Sequence, residues 1–352
     1  MKQPDLTQPL MTWYDAAKRV LPWRLHPDPY HIFISEIMLQ QTRMETVLPY
    51  FERFVKQVPN FQTLASIDED ELYKLWQGLG YYRRAANLKK AAQMVIKDYG
   101  GILPASYSEL LKLPGIGEYT AGAIASTAFQ QSVIAVDGNV KRVIARLKGI
   151  HESVSDPLID RLIKTVVMDL MPQNRPGDYI QALMELGALV CLPSGSPHCD
   201  LCPWQSHCVT NLAKDFDLVP LKVAKTARKS EQKTILILQY LDTVYLHKRP
   251  SKGLLSHLWE FLTLDGQLSL EEVKQYVSSR GFAWDNITVL PIRKHVFSHI
   301  EWQMVGFLVR LSAPVALLEG LFVFLEELTA HYSIPSAFQG YLDDFLSTRN
   351  SG

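Results

Sequence analysis

The sequence predicts two domains of different class, an all-α domain followed by an α+β domain. Three observations carry this reading. To residue 190 the apolar residues recur at helical spacing between recognisable helix caps. All four cysteines then crowd into Cys191-x7-Cys199-x2-Cys202-x5-Cys208. Beyond a polar, Lys-rich stretch at 211–233 the pattern changes to short runs of β formers.

With 352 residues, 47% of them apolar, the chain is long enough for two cores. No run of about 18 apolar residues occurs, so no membrane span is expected. Met1–Gln8 lacks the apolar centre of a signal peptide, which points to a cytoplasmic protein, and a monomer is expected. Lys plus Arg and Asp plus Glu both number 36, so global charge does not suggest nucleic acid. Positive charge for such a partner must be local. The candidates are Arg83-Arg84 with Lys89-Lys90, Lys141-Arg142 with Arg146 and Lys148, and Lys222–Lys233.

In chain order, residues 5–20 read as an amphipathic helix. Asp28-Pro29 gives an N-cap and a proline at the first helical position. The helix that follows, Tyr30–Gln41, holds Glu36 among Phe33, Ile37 and Leu39. A carboxyl so placed is desolvated, its pKa rises, and it becomes a useful proton donor near neutral pH. A further helix runs to about Gln57, and Asp68 with Glu71 opens another that closes at Gly78-Leu79-Gly80-Tyr81-Tyr82. Aromatics that follow glycines in a loop can wedge into a duplex or stack on bases.

The stretch Leu113-Pro114-Gly115-Ile116-Gly117-Glu118-Tyr119-Thr120-Ala121 reads as a helix–hairpin–helix. Ser106 and Glu109 cap a short helix, Pro114 stops it, and Gly115 permits a left-handed turn. A second helix starts at Gly117–Glu118, and its exposed N–H groups favour an anion such as a DNA phosphate. Asp137 stands at the N-cap of a helix over 138–148, with Asn139 in its first turn. Asp156-Pro157 and Pro176 start two more helices.

Four cysteines within residues 191–208 of a cytoplasmic protein argue for a metal site over disulfides. Four thiolates suit tetrahedral zinc or a [4Fe–4S] cluster, and spacing alone does not choose. The expected domains are 1–212 with the cysteine loop 191–208, a linker at 213–232, and 233–346. In the last, β runs are expected at Thr234–Tyr240, Val244–Lys248, Ile287–Leu290, His295–Ile300 and Gln303–Leu311, with helices at Ser269–Ser279 and Val323–Tyr332.

Together, Glu36-Ile37-Met38-Leu39-Gln40-Gln41-Thr42, Gly78–Ala85, Leu113–Ala121, Val136–Val140 and the four cysteines resemble the helix–hairpin–helix DNA glycosylases of the endonuclease III superfamily, and within it the MutY type. The resemblance implies an all-α glycosylase domain with a [4Fe–4S] loop, then a Nudix-like α+β domain that reads damage. It implies removal of adenine from mispairs with 8-oxoguanine or guanine in double-stranded DNA. Glu36 would be the acid and Asp137 the carboxylate that stabilises the sugar cation, with Asn139 orienting it and Tyr119 lining the pocket. Arg24, Trp23 and Glu185 are supporting candidates. DNA and base contacts are carried over to Gln41, Tyr81, Leu113, Gly115, Gly117, Phe297, Ser298 and His299, and cluster ligation to Cys191, Cys199, Cys202 and Cys208. Relatives that also cut the strand carry a Lys at the position of Tyr119, so a glycosylase with little or no lyase activity is expected.

The chain departs from the family in a first cysteine spacing of seven residues where six is usual. Residues 192–198 also lack Lys and Arg, so Arg83, Lys141 and Arg142 are expected to meet more of the phosphate charge. The second domain keeps Gly253-Leu254-Leu255 and Leu258-Trp259-Glu260-Phe261 but not the metal-binding carboxylates of Nudix hydrolases. Repair partners are expected at the linker. An enzyme acting on oxidised pyrimidines or mismatched thymine is the nearest alternative, disfavoured by Tyr119 and the second domain. A non-catalytic iron–sulfur DNA binder is disfavoured by the pairing of Glu36 with Asp137.

Overall fold

The computed structural model describes residues 5–25, 27–221, 227–313, 315 and 319–348. The chain divides into two compact units, Met1–Ser66 with Asn87–Ala224, and Ile67–Ala86 with Lys225–Gly352.

The first unit is helical. Helix Pro29–Leu39 is buried on nearly every side, because its sequence is apolar almost all round, and Asp28 caps it by accepting from the Tyr30 and His31 N–H groups. Helix Gly138–Lys148 begins at Asp137, as expected, and ends at Gly149 in the left-handed region. Helix Pro176–Leu189 is central. It packs on helices Thr7–Ala17, Glu118–Phe129 and Gly138–Lys148, and these close a core around Tyr14, Ile144, Leu183 and Trp204. Its approach to helix Gly138–Lys148 requires a missing side chain, since a Cβ on Gly187 would lie 2.6 Å from Asn139 Cβ.

The second unit is built on a mixed sheet. Among the described residues its strands are β1 (Lys229–Tyr240), β2 (Thr243–Lys248), β3 (Trp259–Glu260), β4 (Leu262–Asp265), β5 (Trp284–Val296), β6 (Ile300–Leu311) and β7 (Leu321–Phe324). The order β3-β2-β1-β6-β5 has β1 parallel to β6, with β4 added to β1 and β7 to β2. Ile235 and Ile237 face one apolar cluster, Leu236 and Leu238 the other. Both sheet faces are covered, which is why this strand reads as an unbroken apolar run.

Four differences from the sequence reading have physical causes. The expected helix 323–332 splits into β7 and helix Leu325–His331, because β7 gains its partner only through register with β2. Helix Ser336–Ser347 was not expected, and its N-cap is Pro335, which offers no side-chain cap to read. Strand β1 begins at Lys229, inside the expected linker, paired to Ile300 of β6. Residues 67–86, expected in the helical domain, group with the sheet unit. There the Tyr73 carbonyl accepts from the Ser333 hydroxyl at 3.2 Å, and the Gln77 amide donates to the Ile334 carbonyl at 3.2 Å. Of the linker expected to hold partners, residues 222–226 lie outside the described residues.

Candidate active site

One cavity of about 460 Å³ in the helical unit gathers Glu36, Asp137, Tyr119, Asn139, Arg24 and Gln41, six residues singled out in the sequence, together with Trp23 and Glu185. Its size is within the range of small-molecule sites. Gln40 explains how the parts meet. Standing at the end of helix Pro29–Leu39, its amide donates to Thr120 Oγ1 at 3.1 Å and to the Gly115 carbonyl at 3.4 Å. The Glu36 helix is thereby fastened to the hairpin that carries Tyr119.

Glu36 is half-buried, open to the cavity on one side and surrounded by protein on the others. Burial raises its pKa from 4.5 to about 7, opposed by the positive charge of Arg24, assisted by the charge of Asp137, and opposed again by the hydrogen bond from Tyr119. Desolvation holds the Tyr119 phenol well above its ordinary pKa, so it remains a neutral donor. Its hydroxyl also lies 3.6 Å from Met184 Sδ.

Asp137 accepts on both oxygens, from the Val140 N–H at 2.8 Å and from Asn139 Nδ2 at 2.9 Å. Asn139 Oδ1 in turn accepts from Arg142 at 2.9 Å, and Arg142 donates to the carbonyls of Gly187 and Cys191, each at 2.8 Å. Opposite them Glu185, only 1% exposed, is held by Arg19 Nε at 2.8 Å and Arg24 Nη2 at 2.8 Å. Sequence reading missed Arg19, whose place beside Lys18 at a helix end has the look of solvated charge. It also missed Gln40, whose role depends on a residue distant in sequence.

The hairpin forms as expected. Gly115 has φ +82, and a Cβ there would meet Asn87 Cβ at 2.8 Å. Gly117 begins helix Glu118–Phe129 without a side-chain cap, so first-turn N–H groups are left for an outside acceptor. The Leu113 side chain is buried, 2% exposed, so only its backbone can face a ligand.

Cys191, Cys199, Cys202 and Cys208 line one small cavity together. Among the described residues no three His, Cys, Asp or Glu side chains converge as a single-ion site. Four cysteines around one cavity supply the donor set that either tetrahedral zinc or a [4Fe–4S] cluster takes. Burial pushes the Cys202 thiol up to about 12. Arg146 Nη1 lies 3.5 Å from Cys191 Sγ and donates to the Leu192 carbonyl at 2.7 Å.

That geometry corrects the expectation for the basic residues. Arg142 and Arg146 are spent on internal carbonyls, Arg84 is buried, and Lys141 is paired with Asp160. Among the described residues Arg83, Lys90 and Lys148 are the exposed members of the first two clusters, and Arg228 and Lys229 are exposed in the third.

In the sheet unit, Tyr81 and the turn Phe297-Ser298-His299 line a second cavity, of about 360 Å³. The Tyr81 hydroxyl and Ser298 Oγ are 3.0 Å apart. The Phe297 N–H donates to the Ile300 carbonyl at 2.8 Å, closing the turn between β5 and β6. Gln41 and Tyr81 share one trait that their sequence hid. Both are non-glycine residues with left-handed backbones, φ 58 and 50. Such strain persists where surrounding structure enforces it, commonly at functional sites.

Comparison with known proteins decides the family. An adenine DNA glycosylase of Buchnera aphidicola (subspecies Baizongia pistaciae) is 37% identical over 295 residues, covering 83% of this chain and 82% of that one. The chain belongs to the adenine DNA glycosylase family. The human adenine DNA glycosylase is 31% identical over 368 residues, covering 87% of this chain and 67% of its own. The model for the HhH-GPD superfamily of base excision DNA repair proteins matches residues 34–167, and that for the NUDIX domain matches 234–344. A solved thermostable thymine-DNA glycosylase superposes with a TM-score of 0.54 at 30% identity, over 59% of this chain and 95% of its own. An endonuclease III–DNA covalent intermediate does so at 0.51 and 25% identity, over 60% of this chain and 95% of that one. The family is thus one of base-excision repair hydrolases acting on N-glycosyl bonds, on a helix–hairpin–helix fold joined to a Nudix-like domain. No helix among the described residues is long and apolar enough to cross a membrane.

Proposed function

We propose that this enzyme flips adenine out of duplex DNA and hydrolyses its glycosyl bond where the opposite base is 8-oxoguanine or guanine, leaving the strand uncut. The observation that carries this reading is the cavity in which Glu36, with its raised pKa, shares space with the doubly hydrogen-bonded Asp137.

Base flipping costs a few kcal/mol and is cheaper at a mispair. Glu36 delivers its proton to N7 of the extruded adenine, turning the base into a neutral leaving group. A general acid of this kind contributes about 10²–10⁴ in rate. Asp137, kept as an acceptor by Asn139 and the Val140 N–H, stabilises the oxocarbenium-like sugar, the division of labour seen between paired carboxylates in glycoside hydrolysis. Water then completes the displacement. Tyr119 offers no amine for a Schiff base, so the product is an abasic site.

The hairpin N–H groups at Gly117 and beyond receive a backbone phosphate. Gln41 and Tyr81 occupy the helix interior around the mispair, and Ser298 with Phe297 reads the opposite base. Cys191, Cys199, Cys202 and Cys208 hold a [4Fe–4S] cluster, which ties their loop down. Its ligand Cys191 adjoins Arg142 through the peptide carbonyl.

A duplex with one adenine opposite 8-oxoguanine tests the reading, scored for free adenine and for strand breaks before and after alkali. Release with breaks only after alkali supports it. Intact cluster-loaded protein that binds this duplex but releases no adenine refutes it.

A further inference from the structure

Arg249 contacts residues that form or support two walls of the pocket that Tyr81 and Ser298 share. Between β2 and β3 the chain makes a long excursion whose base is closed by the Arg249 N–H, bonded to the Leu258 carbonyl at 2.9 Å. Within it Gly253, Leu255 and His257 all have left-handed backbones, φ 98, 57 and 63. Two of these are side-chain-bearing residues, so the loop does not rest in this shape by its own preference. Its middle, Gly253–Ser256, lines the pocket.

The Arg249 side chain is what reaches into the loop. Its Nε donates to the Leu254 carbonyl at 2.9 Å, and Nη1 pairs with Glu260 Oε2. Glu260 is 3% exposed and is fixed in turn by Thr263 Oγ1 at 3.0 Å and His247 Nε2 at 3.1 Å. The guanidinium also lies over the Trp302 ring, 5.6 Å from its centroid. Trp302 meets Phe297 edge-on at 5.0 Å, and Phe297 meets His295 at 4.5 Å. One side chain therefore bonds the Gly253–Ser256 wall and supports the ring beneath the Phe297 wall.

We propose that Arg249 is a positioning residue for recognition of the opposite base, setting the spacing between the Gly253–Ser256 loop and the Phe297-Ser298-His299 turn. The proposal rests on the reading above that this pocket discriminates 8-oxoguanine from guanine. Arg249 is not among the residues that line the Glu36–Asp137 cavity, so its effect falls on binding and discrimination, with the chemical step untouched.

The test compares wild type with R249K and R249A, each checked for cluster content and cooperative melting, on duplexes carrying adenine opposite 8-oxoguanine or guanine. R249K keeps a cation for the buried Glu260 but cannot also make the Nε bond to Leu254. Both variants are expected to bind the 8-oxoguanine duplex at least tenfold more weakly, to bind the guanine duplex within twofold of wild type, and to keep the single-turnover rate at saturation within twofold. Discrimination by a folded R249K equal to that of wild type overturns the proposal, as does an equal loss on both duplexes. S298A separates the two ideas. If S298A loses discrimination while R249K keeps it, the pocket reading stands and the role of Arg249 falls. If S298A and R249K both discriminate as wild type does, the pocket reading itself falls.

Discussion

Asn139 donates to Oδ2 of Asp137 at 2.9 Å while its own Oδ1 accepts from Arg142. The amide is thus held from behind and cannot turn its oxygen toward the carboxylate. Replacing Arg142 with Met frees Asn139 to flip and leaves the carbonyls of Cys191 and Gly187 without this donor. Single-turnover adenine release is expected to fall about 10²-fold, the scale of an ångström-level misplacement. DNA affinity should stay within a few-fold, and gel-shift titration beside quench-flow kinetics checks the split.

Gly187 gives a steric version of the same prediction. A Cβ there would stand 2.6 Å from Asn139 Cβ, so Gly187→Ala must push the two helices apart or displace Asn139. A stability loss of about 1–3 kcal/mol, typical of overpacking, is expected, with a drop in rate. Thermal melts and single-turnover kinetics on the same sample report both.

In the proposed mechanism Glu36 sets the pH dependence. Acting as an acid, it works while protonated, so adenine release should fall as pH rises through about 7. The linkage to stability has the same sign. With its pKa raised from 4.5 to about 7, the folded state holds this proton more tightly than the unfolded state. The resulting stabilisation is full below 4.5 and lost as pH rises to 7. At about 1.36 kcal/mol per pKa unit, Glu36→Gln should gain on wild type by on the order of 3 kcal/mol between pH 4.5 and 8. Its rate should fall about 10²–10⁴-fold. Urea titrations across that range measure the first, and an E36Q rate equal to wild type would remove Glu36 from its role.

Arg24 couples two carboxylates, pairing with Glu185 and lowering the pKa of Glu36. Arg24→Ala leaves Glu185 with Arg19 alone, and a cost of about 3 kcal/mol is expected for breaking into a buried pair. The descending limb of the pH–rate profile should move to higher pH. An unmoved limb would show that Arg24 does not tune the acid.

In the proposed function, the lack of an amine at Tyr119 leaves the strand uncut. Borohydride should trap no covalent complex with wild type, while Tyr119→Lys places an amine beside the sugar site and should yield one. Denaturing gels of the labelled duplex distinguish the two.

Helix starts, and the candidates for the chemistry, could be read from the sequence alone. Asp28, Asp137 and Asp156 announce their helices because an N-cap bond is local, made within three residues. Glu36, Asp137 and Tyr119 stand out in the sequence by residue type and motif, and the structure gathers them in one cavity and the four cysteines around another. Tertiary structure decided what depends on residues remote in sequence. It alone pairs Arg19 and Arg24 with Glu185, ties Gln40 to the hairpin, and turns Arg142 and Arg146 inward, away from the phosphate contact their charge suggested. It alone groups residues 67–86 with the sheet unit and sets Tyr81 against Ser298. Local caps are a competition between a residue and its immediate neighbours, which a linear string records. The partner of a buried charge, or the backbone strain at Gln41 and Tyr81, is set by whatever packing brings beside it.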